Sequence, residues 1–113
     1  MTSRFLNVAF TPAVKEAQAA NGSRQAYSMR DGETARDSLT DAEAGFITSR
    51  DSFYMASVSE TGWPYLQHRG GAAGFVKALS ATQIAFADFR GNRQYVSVGN
   101  LSRDDRAALF FMD

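Results

Sequence analysis

The fold of this chain is decided by residues 53–69, FYMASVSETGWPYLQHR. Aromatic and β-branched residues at 53–59 are typical of a β-strand. The cluster ETGWP at 60–64 predicts a turn, because glycine and proline supply the backbone angles that a reversal needs. Residues 65–69 are extended again. The stretch therefore predicts two strands joined by a turn.

Further short strands are predicted downstream. A glycine-rich break at 70–74 precedes extended runs at 75–79 and 84–88, and a short helical or looped insert follows at 91–101. The run AALFFM at 107–112 is continuously apolar, which predicts a strand buried on both faces. Several short strands joined by turns predict a mainly β protein, a small antiparallel barrel or sandwich with flanking helices.

Residues 1–50 have a different character and predict an N-terminal helical extension ahead of a β-domain at 51–113. Thr11 before Pro12 predicts a helix start, since a capping residue before proline is a helix N-terminal signal. Strong helix formers continue from there to the Asn-Gly pair at 21–22.

Two more predictions concern the rest of this extension. Residues 23–38 contain few large apolar side chains, which predicts a loop or an extended arm. A second helix is predicted from Thr40, because Asp41 and Glu43 suit the positive end of a helix. We expect Phe46 and Ile47 of this helix to face the core.

Composition limits the chemistry that the chain can perform. It has 113 residues, enough for one domain, and its 12 basic residues balance 12 acidic ones, so nucleic-acid or membrane partners have no compositional support. The absence of cysteine excludes disulfides and thiolate ligands. A single histidine, His68, excludes a multi-histidine metal site. With no apolar run near 18 residues, we expect a cytoplasmic protein.

Side-chain catalysis finds little support. His68 lies beside Arg69 in a predicted strand, where a lone histidine is more often structural than a general base, and the sequence has no Gly-x-Ser-x-Gly motif. The acidic pair at 104–105 is flanked by arginines, which favours local charge balance over paired-carboxylate chemistry. The catalytic residues therefore stay unknown.

Two segments, QHRGGAAG at 67–74 and DFRGNRQ at 88–94, favour the binding of an anion. Glycines allow a ligand to approach the backbone closely, and arginines beside exposed amides attract phosphate. A barrel corner and a tight turn are the structural alternatives. Two such strand ends in one small domain predict that both converge on one anion.

These segments belong to a wider resemblance. The strings that carry it are GWPYLQHRGG (62–71), GFVK (74–77), FADFRGNRQY (86–95) and GNL (99–101). Over about residues 40–113 the chain resembles the pyridoxamine 5'-phosphate oxidase-like family, in particular its flavin-nucleotide-binding, oxidase-related branch. The resemblance implies a split antiparallel β-barrel, FMN as cofactor and a homodimer with FMN at the subunit interface. It also implies that further strands follow residue 112 or come from a partner.

The resemblance implies the cofactor contacts as well. The strand after the turn touches the flavin and its phosphate, a later strand end lies along the ring and ribityl chain, and a helix start holds the phosphate. Lys77 is a candidate to replace a positive charge that this sequence lacks. The residues at these positions are Gln67, His68, Arg69, Gly70, Gly71, Lys77, Ala87, Asp88, Asn92, Arg93 and Gln94.

Three functions are compatible with the sequence. The first is an FMN-dependent oxidoreductase of unknown substrate, and the second is an FMN-binding module that stores or senses flavin without turnover. The third is a small barrel that stacks single-stranded nucleic acid on its aromatic residues, which the neutral net charge disfavours. The aromatic residues concerned are Phe53, Tyr54, Trp63, Tyr65, Phe86 and Phe89.

Overall fold

The computed structural model describes residues 8–28, 38–87 and 94–113, and the chain forms two compact units that divide between Ser38 and Leu39. The division falls earlier in the chain than the predicted boundary at residue 50. The helix at 41–48 therefore belongs to the same unit as the strands.

The first unit contains the predicted N-terminal helix. Helix α1 spans Pro12–Ala20, and the hydroxyl of its N-cap residue Thr11 accepts a hydrogen bond from the Val14 amide at 3.3 Å. This prediction is confirmed. The cap satisfies one of the amides that a helix start leaves without an internal partner.

A second, unexpected helix follows in this unit. Helix α2 spans Arg24–Ser28, so the prediction of a loop or arm is wrong for these residues. Local packing explains the difference: the ring of Tyr27 meets that of Phe10 edge-on at 5.6 Å, and the Arg24 guanidinium lies 5.8 Å from the Phe10 ring. One aromatic pair and one cation–π contact hold a turn that composition alone does not predict.

Over residues 39–87 and 94–113 the second unit contains two helices and five strands. In chain order they are α3 (Asp41–Thr48), β1 (Ser52–Val58), β2 (Pro64–Gly70), β3 (Val76–Ser80), β4 (Gln83–Phe86), α4 (Val96–Arg103) and β5 (Ala107–Phe110). The predicted start of α3 is confirmed: Thr40 and Glu43 form a reciprocal capping box, at 3.1 and 2.9 Å.

The strands form one three-stranded sheet, ordered β2–β1–β5, and a separate β3–β4 hairpin, all antiparallel. Between β1 and β2 the backbone reverses at Gly62, whose φ of +91° is easily reached only by glycine. Within β1, Phe53, Met55 and Ser57 are buried, so alternate residues of this central strand point into the core.

The core is aromatic. Phe53, Met55 and Val76 are buried, and six partly buried apolar residues pack against them. Three rings surround Phe53, those of Phe75, Phe86 and Phe111, with centroids 5.8, 4.9 and 4.9 Å away. Of the α3 residues expected to face the core, Ile47 packs against it, whereas Phe46 is 38% exposed.

The fold class is antiparallel sheets with helices. In residues 8–28, 38–87 and 94–113 strand takes about 30% and helix about 34%, and these ranges contain no closed barrel, so the mainly β prediction is not confirmed. The prediction that residues 107–112 are buried on both faces is wrong, because all four residues of β5 are exposed. β5 lies at the edge of the sheet and pairs with β1.

Within the described ranges, no helix has the length and apolar character that crossing a bilayer requires.

Candidate functional site

Strand β2 carries most of the predicted cofactor contacts and separates them onto two faces. Its residues alternate between exposed and half-buried, so Gln67 and Arg69 point inward while His68 points outward. The register pairs Gln67 with Met55 and Arg69 with Phe53. Because directly paired residues of an antiparallel sheet share a face, two polar side chains lie on the face that holds the core.

Gln67 is held by the first turn of helix α4. The buried hydroxyl of Ser97 donates to Oε1 of Gln67 at 2.8 Å. This bond turns the amide oxygen of Gln67 toward α4, so the NH2 group of the same amide points away from the helix. The helix thus fixes the orientation of a side chain on a neighbouring strand.

Arg69 reaches a different element on the same face. Its guanidinium carbon lies 5.7 Å from the centre of the Phe86 ring, at the end of β4. A cation over an aromatic face is attracted by the ring's quadrupole. The contact brings the positive charge of Arg69 to the last residue of the β3–β4 hairpin.

Strand β2 contacts the described residues on either side of segment 88–94. Phe86, at the end of β4, lies against Arg69, and Ser97, in the first turn of α4, lies against Gln67. Ala87 comes directly after β4 and is exposed, and Gln94, shortly before α4, is exposed too. The predicted contacts at Asp88, Asn92 and Arg93 lie outside the described residues.

His68 does not join this group. It lies on the opposite face of β2, where its ring meets that of Tyr54 edge-on at 5.4 Å. Gln67 and Arg69 therefore point to one face of the sheet, and His68 points to the other.

The glycines at the end of β2 and in the loop that follows serve the fold. The Gly71 amide donates to the Asp51 carbonyl at 3.0 Å, and the Gly74 amide donates to the Arg50 carbonyl at 3.3 Å. A Cβ on Gly71 would lie 2.9 Å from Cγ of Phe75, and one on Gly70 would lie 3.2 Å from Cε1 of His68. Gly71 is therefore needed for the approach of a core ring, and its amide and that of Gly74 bind backbone carbonyls.

Lys77 stands apart from the converging residues. It is exposed on β3, next to the fully buried Val76, and so points away from the core. An ideal Cβ on Gly74 would lie 4.0 Å from its Nζ, so the ammonium lies over the loop between β2 and β3.

Sequence reasoning missed three polar residues of this region: Ser57, Ser97 and Asn100. All are buried, and Nδ2 of Asn100 donates to Oγ of Ser57 at 3.1 Å. The signal was present, because Asn100 is the centre of the GNL string and Ser57 is a small polar residue in an apolar strand. Buried polar side chains require such partners.

Only some of the aromatic residues predicted to stack nucleic-acid bases are exposed. Phe53 is 1% exposed and Phe86 packs in the core, whereas Tyr54 is 39% and Trp63 76% exposed. Phe89 lies outside the described residues. Two of the six proposed platforms are therefore taken up by the core.

No protein-family model matches this chain, and no curated protein or solved structure matches it either.

Proposed function

We propose that this chain is an FMN-binding protein that uses the flavin as an oxidoreductase. On this proposal the antiparallel elements of the second unit belong to a split β-barrel with an N-terminal helical extension, and the protein acts as a cytoplasmic homodimer with FMN at the interface. The resemblance of the 62–101 strings to the pyridoxamine 5'-phosphate oxidase-like family motivates it.

One observation carries the proposal: Gln67 and Arg69, neighbours on the inner face of β2, contact the start of α4 and the end of β4. The resemblance implies that β2, the residues just after β4 and the residues just before α4 hold one cofactor. The amide of Gln67 and the guanidinium of Arg69 point to the same side of the sheet. Together they can hydrogen-bond a ligand that has a charged phosphate and ring carbonyls.

Each residue has a distinct role in this arrangement. The NH2 group of Gln67, oriented by Ser97, donates to an acceptor on the flavin ring. The guanidinium of Arg69 supplies a positive charge for the phosphate or the ring carbonyls. FMN, when bound, supplies the electron transfer itself, so the chain needs to bind, orient and enclose it.

The outer face of the three-stranded sheet supports the homodimer part of the proposal. Leu66 lies on this face and is 65% exposed, and Trp63 in the adjoining turn is 76% exposed. Apolar side chains grouped at a surface favour association with another surface.

The first test is FMN uptake by the purified chain. We expect a flavin absorption band after incubation with FMN and dialysis, and weaker uptake of riboflavin, which lacks the phosphate. Arg69→Gln is expected to weaken FMN binding by about 1.5–3 kcal/mol, roughly tenfold to a hundredfold.

The matched control is Arg103→Gln, which removes an arginine that is 71% exposed and paired with Glu60 at 3.5 Å. It should leave FMN affinity unchanged. A folded protein that takes up no FMN at millimolar concentration would refute the proposal, and equal losses in both variants would refute the role of Arg69.

A second measurement separates an oxidoreductase from a flavin store. Stopped-flow absorbance of the FMN-loaded protein should show bleaching of the flavin band by NADH or NADPH and its return with an electron acceptor. FMN that binds tightly but stays oxidised under these conditions would leave the storage or sensing function.

A further inference from the structure

A cleft of about 390 Å³ lies elsewhere in the second unit, where the residues after α3 and the start of β1 meet the segment that follows β5. This volume is at the lower end of small-molecule sites. Its lining includes Arg50, Asp51, Tyr54, Phe110 and Asp113. None of these residues takes part in the proposed FMN site.

Arg50 is the positive group of this cleft, and its guanidinium is held in a fixed plane. The side chain is 25% exposed and lies over the Phe46 ring, 4.6 Å from its centre. Its Nε and Nη2 donate to Oγ of Ser49 at 3.3 and 3.0 Å. A guanidinium oriented in this way is prepared to bind a planar anion.

The chain itself indicates which anion fits. Nη1 of Arg50 donates to Oδ1 of Asp113 at 3.1 Å, and the Asp113 side chain is 95% exposed. Exposed ion pairs strengthen an association by about fivefold at most. A ligand carboxylate can therefore replace that of Asp113 at small cost, while the stacking on Phe46 keeps the guanidinium in place.

The remaining wall is aromatic and apolar. Tyr54 of β1 and Phe110 of β5 are directly paired across the sheet, so their rings share one face. They are 39% and 62% exposed, and Met112 beside them is 56% exposed. Such a wall favours a flat apolar body.

Charge decides between carboxylate and phosphate. Arg50 contributes one positive charge to the lining, and Asp51 and Asp113 contribute two negative ones, which leaves one negative charge in excess. A doubly charged phosphate is repelled more strongly by this surplus than a single carboxylate is. The cleft therefore favours a singly charged carboxylate over a phosphate.

We propose that this cleft binds a small aromatic carboxylate. The ligand's carboxylate takes the place of Asp113 on Arg50, and its ring lies beside Tyr54 and Phe110. Asp113 then acts as an internal competitor that occupies the guanidinium when no ligand is bound.

The test titrates the full chain with benzoate and phenylacetate and follows the Met112 methyl resonance by NMR. Saturable shifts are expected with both carboxylates, and much smaller shifts with benzamide, the neutral analogue, or with inorganic phosphate at equal concentration. Equal responses to benzoate and benzamide would overturn the proposal.

Three variants sharpen the test. Arg50→Gln should weaken benzoate binding about tenfold, because the ligand's carboxylate would accept charge-assisted hydrogen bonds inside the cleft rather than at an exposed position. The matched control Arg103→Gln should not change it. Asp113→Asn should tighten binding by about two- to fivefold, because it removes the competing carboxylate. This gain keeps the proposal testable if Arg50→Gln fails to fold, and an unchanged affinity in Asp113→Asn would overturn it.

Discussion

The two ends of strand β1 bury different kinds of side chain. Phe53, near the start, is 1% exposed and surrounded by three aromatic rings. Ser57, four residues later on the same face, is 2% exposed and bonded to Asn100 of α4. One strand therefore joins an aromatic core to a polar contact.

The two ends of β1 therefore contribute differently, one mainly to stability and the other to the orientation of α4. Burial of rings is favourable in many orientations, so the aromatic end contributes most of the stability. Hydrogen bonds are directional and add little net free energy, but they fix orientation. The polar end holds α4 against β1, and through Ser97 it also orients Gln67.

The largest expected effect tests the aromatic end. Phe53→Ala should lower the free energy of unfolding by about 3–5 kcal/mol, because it removes a fully buried ring and leaves a cavity among three others. Urea denaturation followed by circular dichroism measures this change.

Phe110→Ala is the control for this prediction, since Phe110 belongs to the same sheet but is 62% exposed. Its effect should stay within about 0.5 kcal/mol. Similar losses in both variants would mean that the aromatic end is not the main source of stability.

A smaller effect is expected at the polar end. Asn100→Ala should lower the free energy of unfolding by about 1–3 kcal/mol, because the buried Ser57 hydroxyl loses its partner. Ser57→Ala and the double variant complete a cycle in which the second substitution costs less once the first is present.

Asn100→Ala also tests whether the polar end of β1 affects FMN binding. If the polar end positions α4 and Gln67, Asn100→Ala should also weaken FMN binding, measured as above, while the protein stays folded.

The mutant cycle has its own contradicting outcome. Additive losses of stability for Ser57→Ala and Asn100→Ala would contradict a direct bond between the two side chains.

Local signals predicted the elements well. Thr11 with Pro12, and Thr40 with Glu43, are helix starts signalled by residues no more than three positions apart, and the structure contains both. The turn at Gly62 and the first two strands follow equally local chemistry. Helix α2 was missed because its support is an aromatic contact with Phe10, outside the segment itself.

Burial and the site depend on contacts that the sequence does not display. The apolar run at 107–112 has the pattern of a central strand, yet β5 lies at an edge. The string QHR reads as one ligand-binding motif, but strand alternation sends His68 to the opposite face from Gln67 and Arg69. Gly71 reads as a ligand contact, whereas its lack of a side chain admits the Phe75 ring.

The smallest expected effect on stability concerns residues 104–106, the link that connects α4 to β5. Arg106 donates three hydrogen bonds to the Asp104 carboxylate, at 2.7, 2.9 and 3.1 Å, and these bonds lower the pKa of Asp104 from 3.8 to about 2. A carboxyl with a depressed pKa stabilises the fold above its unfolded pKa, and this contribution disappears as the pH falls through the folded value.

Asp104→Asn should therefore lower the melting temperature slightly at neutral pH. The difference from the unchanged chain should shrink between about pH 4 and pH 2. Asp105→Asn removes the same charge without touching the three bonds and should show a smaller difference. A difference that grows toward acid would mean that the Asp104–Arg106 bonds do not stabilise the link that joins the polar end to the edge of the sheet.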